Sequence, residues 1–519
     1  MEHNQDNFQR RDGRNSSLWQ EIGYAIKAVS SKSIGEHQIF DTLIIGAGIT
    51  GVTTALLLQR SGQNCVLVEA ENYGFGTTGG TSAHLNTFFD ATYPEIESDF
   101  GEAEAALVAK AGKEAFALIK NFVDDLDLDC DLEFKPAYLY SENEKESKQL
   151  QQILEASQRA GVHVALSQKN GLAVPFESAL QFNQQGQFHP MKYLSGLLKE
   201  FIDLGGLFLE NTRIKESEFE NGIHTAKSDL IRIQSRNLVW ATHIPPGINL
   251  LSLRNAPYRS YVLGLRLKTG EYPDCLSYDM QEPYHYYRTH VVDGQSYLIV
   301  GGEDHKTGHG DPEAAFSNLE GYVRQYYDVA EVAYKWSAQY YVPVDGLPYI
   351  GQLTGGADAT YVATGFNGNG MIFGTLSGKI ISDLVMGRDN EYSSLFSPSR
   401  LKPVAGFTEF VKENADVAWH FVKDRLTPEQ LDKVTELKKG SGVIAEYEGK
   451  RMAFYKDDAG AVTALNPTCT HAACIVQFND VEKSWDCPCH GGRFDVYGKV
   501  LTGPPTKDLE QVMINYDKK

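Results

Sequence analysis

Four side chains near the end of the chain carry the strongest chemical signal. Cys469-Thr470-His471 and Cys487-Pro488-Cys489-His490 offer thiols and imidazoles in two short runs, with 15 residues between His471 and Cys487. Two loops of this kind suit an iron–sulfur centre in which two thiolates hold one iron and two imidazoles hold the other. That substitution raises the potential into a range of roughly −150 to +300 mV and moves one electron at a time. Zinc bound by Cys and His is the alternative chemistry, but zinc knuckles and fingers space their ligands differently. Of the seven cysteines, Cys65, Cys130 and Cys275 are scattered, whereas Cys469, Cys474, Cys487 and Cys489 fall together, a pattern of a metal site before that of a disulfide scaffold.

A second set lies near the other end. Gly46-Ala47-Gly48-Ile49-Thr50-Gly51 follows the apolar run Leu43-Ile44-Ile45 and opens a helical pattern through Ala55 and Leu58, and Glu69 closes the next apolar run, Val66-Leu67-Val68. Strand, glycine turn, helix, strand and terminal carboxylate is the order that holds a dinucleotide. The pyrophosphate rests on the amides of the helix N-terminus and the carboxylate reaches the ribose hydroxyls. Glu69 would repel the extra phosphate of NADP. FAD and NAD both use this arrangement, although a flavoprotein reductase using NAD(P)H normally carries two such turns and this chain carries one.

The C-terminal runs, read on as Cys-Thr-His-Ala-Ala-Cys and Cys-Pro-Cys-His-Gly-Gly-Arg-Phe-Asp, resemble the Rieske family over about the last eighty residues. The resemblance implies a 2Fe-2S cluster with Cys469 and Cys487 on one iron and His471 and His490 on the other. It also implies that Cys474 and Cys489 match the pair that forms a disulfide between the cluster loops in the cytochrome bc type. That type has a serine and a tyrosine whose hydroxyls donate to cluster sulfur, and Gly492 and Phe494 stand at those positions here. Without those donors the reduced cluster is less stabilised, so the potential is expected in the low or middle part of the Rieske range.

Farther upstream, Asp345-Gly-Leu-Pro-Tyr-Ile-Gly351, Ala363-Thr-Gly-Phe-Asn-Gly-Asn-Gly-Met371 and the Gly- and Thr-rich stretch Glu71 to Ser82, with Thr78 in it, resemble the D-amino acid oxidase and glycine oxidase superfamily. The likeness covers roughly residues 38 to 390. It implies FAD, held by Gly46, Gly48, Gly51, Glu69, Thr78, Gly368, Gly370 and Met371, with the helix that begins near Gly370 turning its positive end toward the flavin pyrimidine. His84 is either a covalent attachment point for the flavin or an ordinary hydrogen-bonded histidine, the commoner case.

These sites need elements to position them. The pattern is that of an α/β FAD-binding, Rossmann-like domain with an inserted mixed α+β substrate domain, followed by a small all-β Rieske domain. The expected boundaries are an N-terminal extension at 1–37, the oxidoreductase at 38–401 with its substrate domain at about 91–185 and 246–340, a connector at 402–439 and the cluster domain at 440–519. In the connector, Phe410, Val411, Val417, Ala418, Phe421 and Val422 recur at helical spacing, a stripe expected to pack against the larger domain. The chain of 519 residues, 42% hydrophobic and with a net charge of −20, is long enough for several cores and disfavours nucleic acid and anionic membrane surfaces as partners. Arg10-Arg11 is followed by no apolar segment, and the most apolar stretch is broken by glycines and threonines, so a cytoplasmic protein without a membrane span is expected.

Superfamily members oxidise a C–N bond by hydride transfer to the flavin, which needs positioning more than an acid or base. Tyr286, Tyr287 and Arg288 are the candidate carboxylate clamp, since a guanidinium grips a carboxylate bidentately with a phenol beside it. Arg259 and His305 are weaker candidates. Asn367 and Asn369 either bond flavin or substrate or occupy a left-handed turn. The expected function is a flavin–Rieske oxidoreductase in which FAD takes electrons from a small amine or amino-acid-like molecule and the cluster passes them singly to an external acceptor. Two alternatives stay open: a cluster fed by a ferredoxin-like donor to reduce the flavin, and a non-catalytic redox sensor or electron-transfer module.

Overall fold

The apolar runs flanking the glycine turn become parallel strands. In the computed structural model, which describes residues 12–20, 26, 28, 34–35, 38–400 and 437–513, β1 (Ile39–Ile45) leads through α1 (Ile49–Arg60) to β2 (Cys65–Val68). The first of these strands is central: Ile45 stands opposite Val68 on one side and opposite Trp240 of the strand Arg232–Trp240 on the other. Leu207–Leu209 extends the sheet past β2. Thr360–Thr364 and then the antiparallel Tyr349–Gln352 extend it past Arg232–Trp240. Strands covered on both faces call for continuous apolar runs rather than alternation, which Leu43-Ile44-Ile45 and Val66-Leu67-Val68 supply. Because the parallel strands end at one edge, Gly46, Glu69 and Ala241 come together there, the edge at which open parallel sheets bind ligands.

Along most of its length α1 is buried, packed against the helix Gly370–Val385. Two glycines permit the approach. A Cβ at Gly374 would stand 2.6 Å from a methyl of Ile49, and one at Gly378 would stand 2.6 Å from the methyl of Thr53.

A second sheet of nine strands draws on residues 84–187 and 255–343, so the chain leaves the first sheet twice. At one end the long strand Asn255–Leu267 lies between Val329–Pro343 and Gln295–Lys306, antiparallel to both. From Ser441 onward the chain forms two small antiparallel sheets, of three and four strands. The amphipathic stripe expected between Phe410 and Val422 lies outside the described residues. Among the described residues no helix is long and apolar enough to cross a membrane.

Residues 12–20, expected only as part of an extension, form a strap between the Gly- and Thr-rich stretch Glu71 to Ser82 and the C-terminal unit. The indole N–H of buried Trp19 donates to the Thr81 carbonyl (2.6 Å), the Ser17 hydroxyl donates to the Gly79 carbonyl, and the Asp12 carboxylate meets Arg493. Arg493 is fully buried and also bonds Asp486 (2.9 Å) and the Ser484 hydroxyl (3.0 Å). Beside it, buried Glu482 accepts from the Ser337 hydroxyl (2.6 Å) and from the Arg14 amide (2.6 Å) and lies 3.8 Å from the Arg259 guanidinium. Removing one partner of a buried pair strands the other charge, at a cost of about 3–5 kcal/mol. Arg493→Met is therefore expected to destabilise the C-terminal unit by about that amount in guanidinium denaturation followed by fluorescence. A loss under about 1 kcal/mol, as for an exposed pair, would contradict the role assigned to this charge.

Candidate functional site

The strand ends, the loop Phe75–Ser82 and the start of the Gly370 helix enclose a cavity of about 690 Å³. Gly46, Gly48, Ile49 and Thr50 of the glycine turn line one part of it, and Gly368, Asn369, Gly370 and Met371 line another. Two of the three turn glycines are obligatory. Gly46 has φ +105° and a Cβ there would meet the Ala241 carbonyl oxygen at 2.5 Å, while a Cβ at Gly51 would fall 1.8 Å from the Gly46 carbonyl oxygen. Glu69 braces the turn: its Oε2 accepts from the Ala47 amide (2.8 Å) and its Oε1 from the Glu71 amide (3.1 Å), with burial holding its pKa above the usual carboxylate range. Thr78 Oγ1 accepts from the Ile49 amide (3.1 Å) at the first turn of α1. A Cβ at Gly370 would meet nothing within 4 Å, so the helix start opens onto free space. Backbone amides, a bare glycine turn and a carboxylate at the strand edge fit a dinucleotide.

The residues expected to grip substrate divide. Tyr286 lines the cavity, its hydroxyl 2.9 Å from that of Ser260. Arg288 does not line it. Its guanidinium donates to the carbonyls of Ser82 (2.8 Å), Ala83 (2.8 Å) and Phe188 (3.3 Å), reaches His290 Nδ1 (2.7 Å) and lies over the Trp19 ring. Those contacts order the end of the Gly- and Thr-rich stretch, and burial lowers the Arg288 pKa to about 9. Tyr287 alternates to the opposite face of its strand and is buried in the apolar cluster with Tyr140 and Tyr261. Arg259 braces Ser337 and Glu482, and His305 stacks on Tyr261. His84 lines the cavity with its Nδ1 2.9 Å from Ser82 Oγ and its Nε2 3.3 Å from the Tyr287 carbonyl oxygen, and burial brings its pKa down to about 3. Asn367 sits in a left-handed turn at φ 50°, and Asn369 Oδ1 accepts from the Asp90 amide (3.1 Å).

Sequence reasoning passed over several cavity residues. Asp90, Asp304 and Tyr340 line it, and the Tyr340 hydroxyl donates to Asp304 Oδ2 (2.8 Å). On the side toward the C-terminal unit, Thr77 donates to the Gln339 carbonyl (2.7 Å) and lies 3.3 Å from His243 Nδ1, and the His243 ring meets Tyr341 edge-on at 4.8 Å. No spacing rule marks these residues. The nearest signal is that Asp304 and Tyr340 both fall near the ends of long strands.

At the C-terminal ligand loops, Cys469 and Cys487 are buried neighbours, and the Cys487 thiol, with the His471 and Ala472 amides, holds the Cys469 pKa below its ordinary value. The His471 and His490 rings lie 4.8 Å apart, and the Nδ1 atoms of both are buried without a hydrogen-bond partner. The sulfurs of Cys474, Cys487 and Cys489 come within 4.8 Å of one another, but Cys474 and Cys489 are joined in a disulfide, which removes them as ligands. Two free thiols beside two orphaned imidazole nitrogens fit the cluster. At Gly492 a Cβ would stand 2.7 Å from Pro505 Cδ and 3.7 Å from Cys469 Sγ, so a serine is excluded unless Pro505 moves, and Phe494 is fully buried.

The ligand loops dock on the flavin unit. The Tyr341 hydroxyl donates to the His490 carbonyl (3.2 Å), Gln339 Nε2 to the Gly491 carbonyl (2.9 Å), and His471 Nε2 lies 3.2 Å from the Gly247 carbonyl oxygen. Leu501, Thr502, Gly503, Pro505 and Thr506 form part of the cavity wall itself.

Two measurements follow from this geometry. Gly51→Ala is expected to lower flavin content at least about tenfold, because the closed turn that receives the pyrophosphate cannot form; released-flavin absorbance per chain reads it, and full occupancy would sink the assignment. A redox titration is expected to place the cluster in the low or middle part of the roughly −150 to +300 mV range, and a value at the upper end would show that the missing donors do not matter.

Residues 41–384 match the family model described as FAD dependent oxidoreductase, and residues 428–513 match that of the Rieske [2Fe-2S] domain. The chain is 34% identical over 489 residues to the Bacillus subtilis protein YhfW, described as a Rieske 2Fe-2S iron-sulfur protein, covering 93% of this chain and 95% of that one. It is 21% identical over 421 residues to the gamma-glutamylputrescine oxidoreductase of Escherichia coli, covering 76% and 95%. In fold it is similar to the crystal structure of glycine oxidase from Geobacillus kaustophilus, with a TM-score of 0.58 at 18% identity over 70% of this chain and 99% of that one. The oxidoreductase region binds FAD and the C-terminal region a 2Fe-2S cluster. The chain thus belongs to the FAD-dependent oxidoreductase family and ends in a Rieske domain.

Proposed function

We propose that the protein oxidises the C–N bond of an amine or amino-acid-like substrate and delivers the electrons through the cluster to an external one-electron acceptor. The observation that carries this reading is Tyr341. Its side chain lines the cavity and its hydroxyl reaches the main chain of His490, so the cavity wall and the ligand loop are one hydrogen bond apart. Gln339 makes the parallel connection, from Thr77 on the flavin side to Gly491 on the cluster side.

Bound FAD supplies the acceptor for the hydride that leaves the amine carbon. Each turnover converts CH–NH to C=N and releases two protons and two electrons, the electrons leaving singly. The chain's own contributions are positional. The Gly46–Gly51 turn and Glu69 seat the dinucleotide, the Gly370 helix presents its positive end, and Cys469, Cys487, His471 and His490 are the proposed iron ligands. Enzymes named for amine and amino-acid oxidation among the relatives and fold neighbours support the reaction class.

The test is anaerobic. Purified protein is mixed with a panel of amines and amino acids while flavin absorbance and the cluster's electron paramagnetic resonance are followed. Flavin bleaching followed by the reduced-cluster signal is the expected result. If no compound bleaches the flavin and a reduced ferredoxin does, electrons enter through the cluster and the proposed direction is wrong.

A further inference from the structure

The cavity is acidic where its tyrosines gather. Asp304 stands among Ser260, Tyr286 and Tyr340, one hydroxyl donor from each of three neighbouring strands. Its Oδ2 accepts from Tyr340 (2.8 Å) and the Ser260 hydroxyl also supports the carboxylate, while Oδ1 is buried with no close hydrogen bond of its own. A buried carboxylate oxygen with an unused acceptor site is costly unless a ligand completes it. Asp90 faces the same space, held at one oxygen by the Gly368 amide (2.6 Å), with the Tyr284 ring 5.8 Å from that of Tyr286.

Among the described residues no lysine or arginine of the cavity wall pairs with these carboxylates. Among the described residues lining the cavity, Arg213 alone carries a permanent positive charge, and it pairs with Glu71 (3.3 Å) and the Leu501 carbonyl (3.3 Å), away from Asp304. Arg288 is spent on main-chain carbonyls, and burial leaves His84 and His243 uncharged at neutral pH, with pKa values near 3 and 4. Burial pushes Asp304 up to about 7, outweighing the Ser260 and Tyr340 hydroxyls and the more distant His285, and pushes Asp90 up to about 6. A substrate carboxylate entering here would meet two acids and no guanidinium. An ammonium would meet a free carboxylate oxygen and tyrosine faces, which attract cations.

We propose that the substrate is an alkylamine or diamine with no carboxylate on the carbon bearing the nitrogen, and that Asp304 Oδ1 binds its positively charged nitrogen between Tyr286 and Tyr340. This rests on the reading of the cavity as the site of amine oxidation and narrows the substrate class.

Matched probes separate the alternatives. Norvaline is butylamine with an added α-carboxylate, and ornithine stands in the same relation to 1,4-diaminobutane. Calorimetric titration of the holoenzyme, with the flavin held reduced by dithionite, reads binding without turnover. Both amines are expected to bind at least about tenfold more tightly than their carboxylated partners, and Asp304→Asn is expected to weaken the amines by about tenfold or more, since a charge-assisted bond is lost. Tyr340→Phe is expected to weaken them less. Flavin content and the cluster's resonance signal in each variant verify that it has folded. Equal or tighter binding of norvaline and ornithine, no measurable amine binding, or an unchanged affinity in folded Asp304→Asn each overturns the proposal. Bleaching of the flavin by norvaline but not by butylamine would leave amine oxidation standing and remove this substrate class. Selective amine binding with no electron reaching the cluster would do the reverse.

Discussion

A single buried guanidinium holds the two halves of this molecule in register. Arg493 lies between Asp12 and Asp486, which come from sequence positions more than four hundred residues apart, and it is shielded from water. A charge so placed tolerates little displacement, because the interior offers no solvent to replace a lost partner. Fixing Arg493 fixes the strap from Asp12 to Gln20 on one side and, on the other, the strands Ser484–Asp486 and Arg493–Asp495 that flank the loop with Cys487 and His490. Glu482, in contact with Ser337 and near Arg259, ties the same unit to the edge of the large sheet. The docking of Tyr341 and Gln339 on the ligand loop follows from that alignment, and so does the wall that Leu501–Thr506 adds to the cavity.

The conformation of the Gly- and Thr-rich stretch depends on the same arrangement. Trp19 and Ser17 of the strap bond Thr81 and Gly79, and Arg288 gathers the carbonyls of Ser82 and Ala83 from the other side. An arginine that resembled a substrate clamp is thus a loop-ordering residue, and the cavity keeps Asp304 and Asp90 as its charged groups near the tyrosines.

The two cofactor regions were legible because each depends on short-range spacing. The turn Gly46–Gly51 with Glu69, and the runs around Cys469 and Cys487, encode their geometry within a few residues, and the sheet edge and the paired loops follow. The proposed substrate end was not legible. Asp304, Tyr340 and Tyr286 lie on separate strands of one sheet, and their meeting depends on a register set by pairings such as Arg259 with Gln339 and Tyr286 with Gly301, which no local pattern announces. Strand alternation did carry one hint: of the adjacent Tyr286 and Tyr287, only one can face the cavity. The strap had no signal at all, being a polar stretch whose role appears only against Arg493.

The disulfide between Cys474 and Cys489 and the packing of Pro505 against Gly492 accompany the placing of Leu501, Thr502, Gly503, Pro505 and Thr506 on the cavity wall. The dinucleotide chamber is therefore walled by two units at once, and its one side is only as firm as the docking of the C-terminal loops.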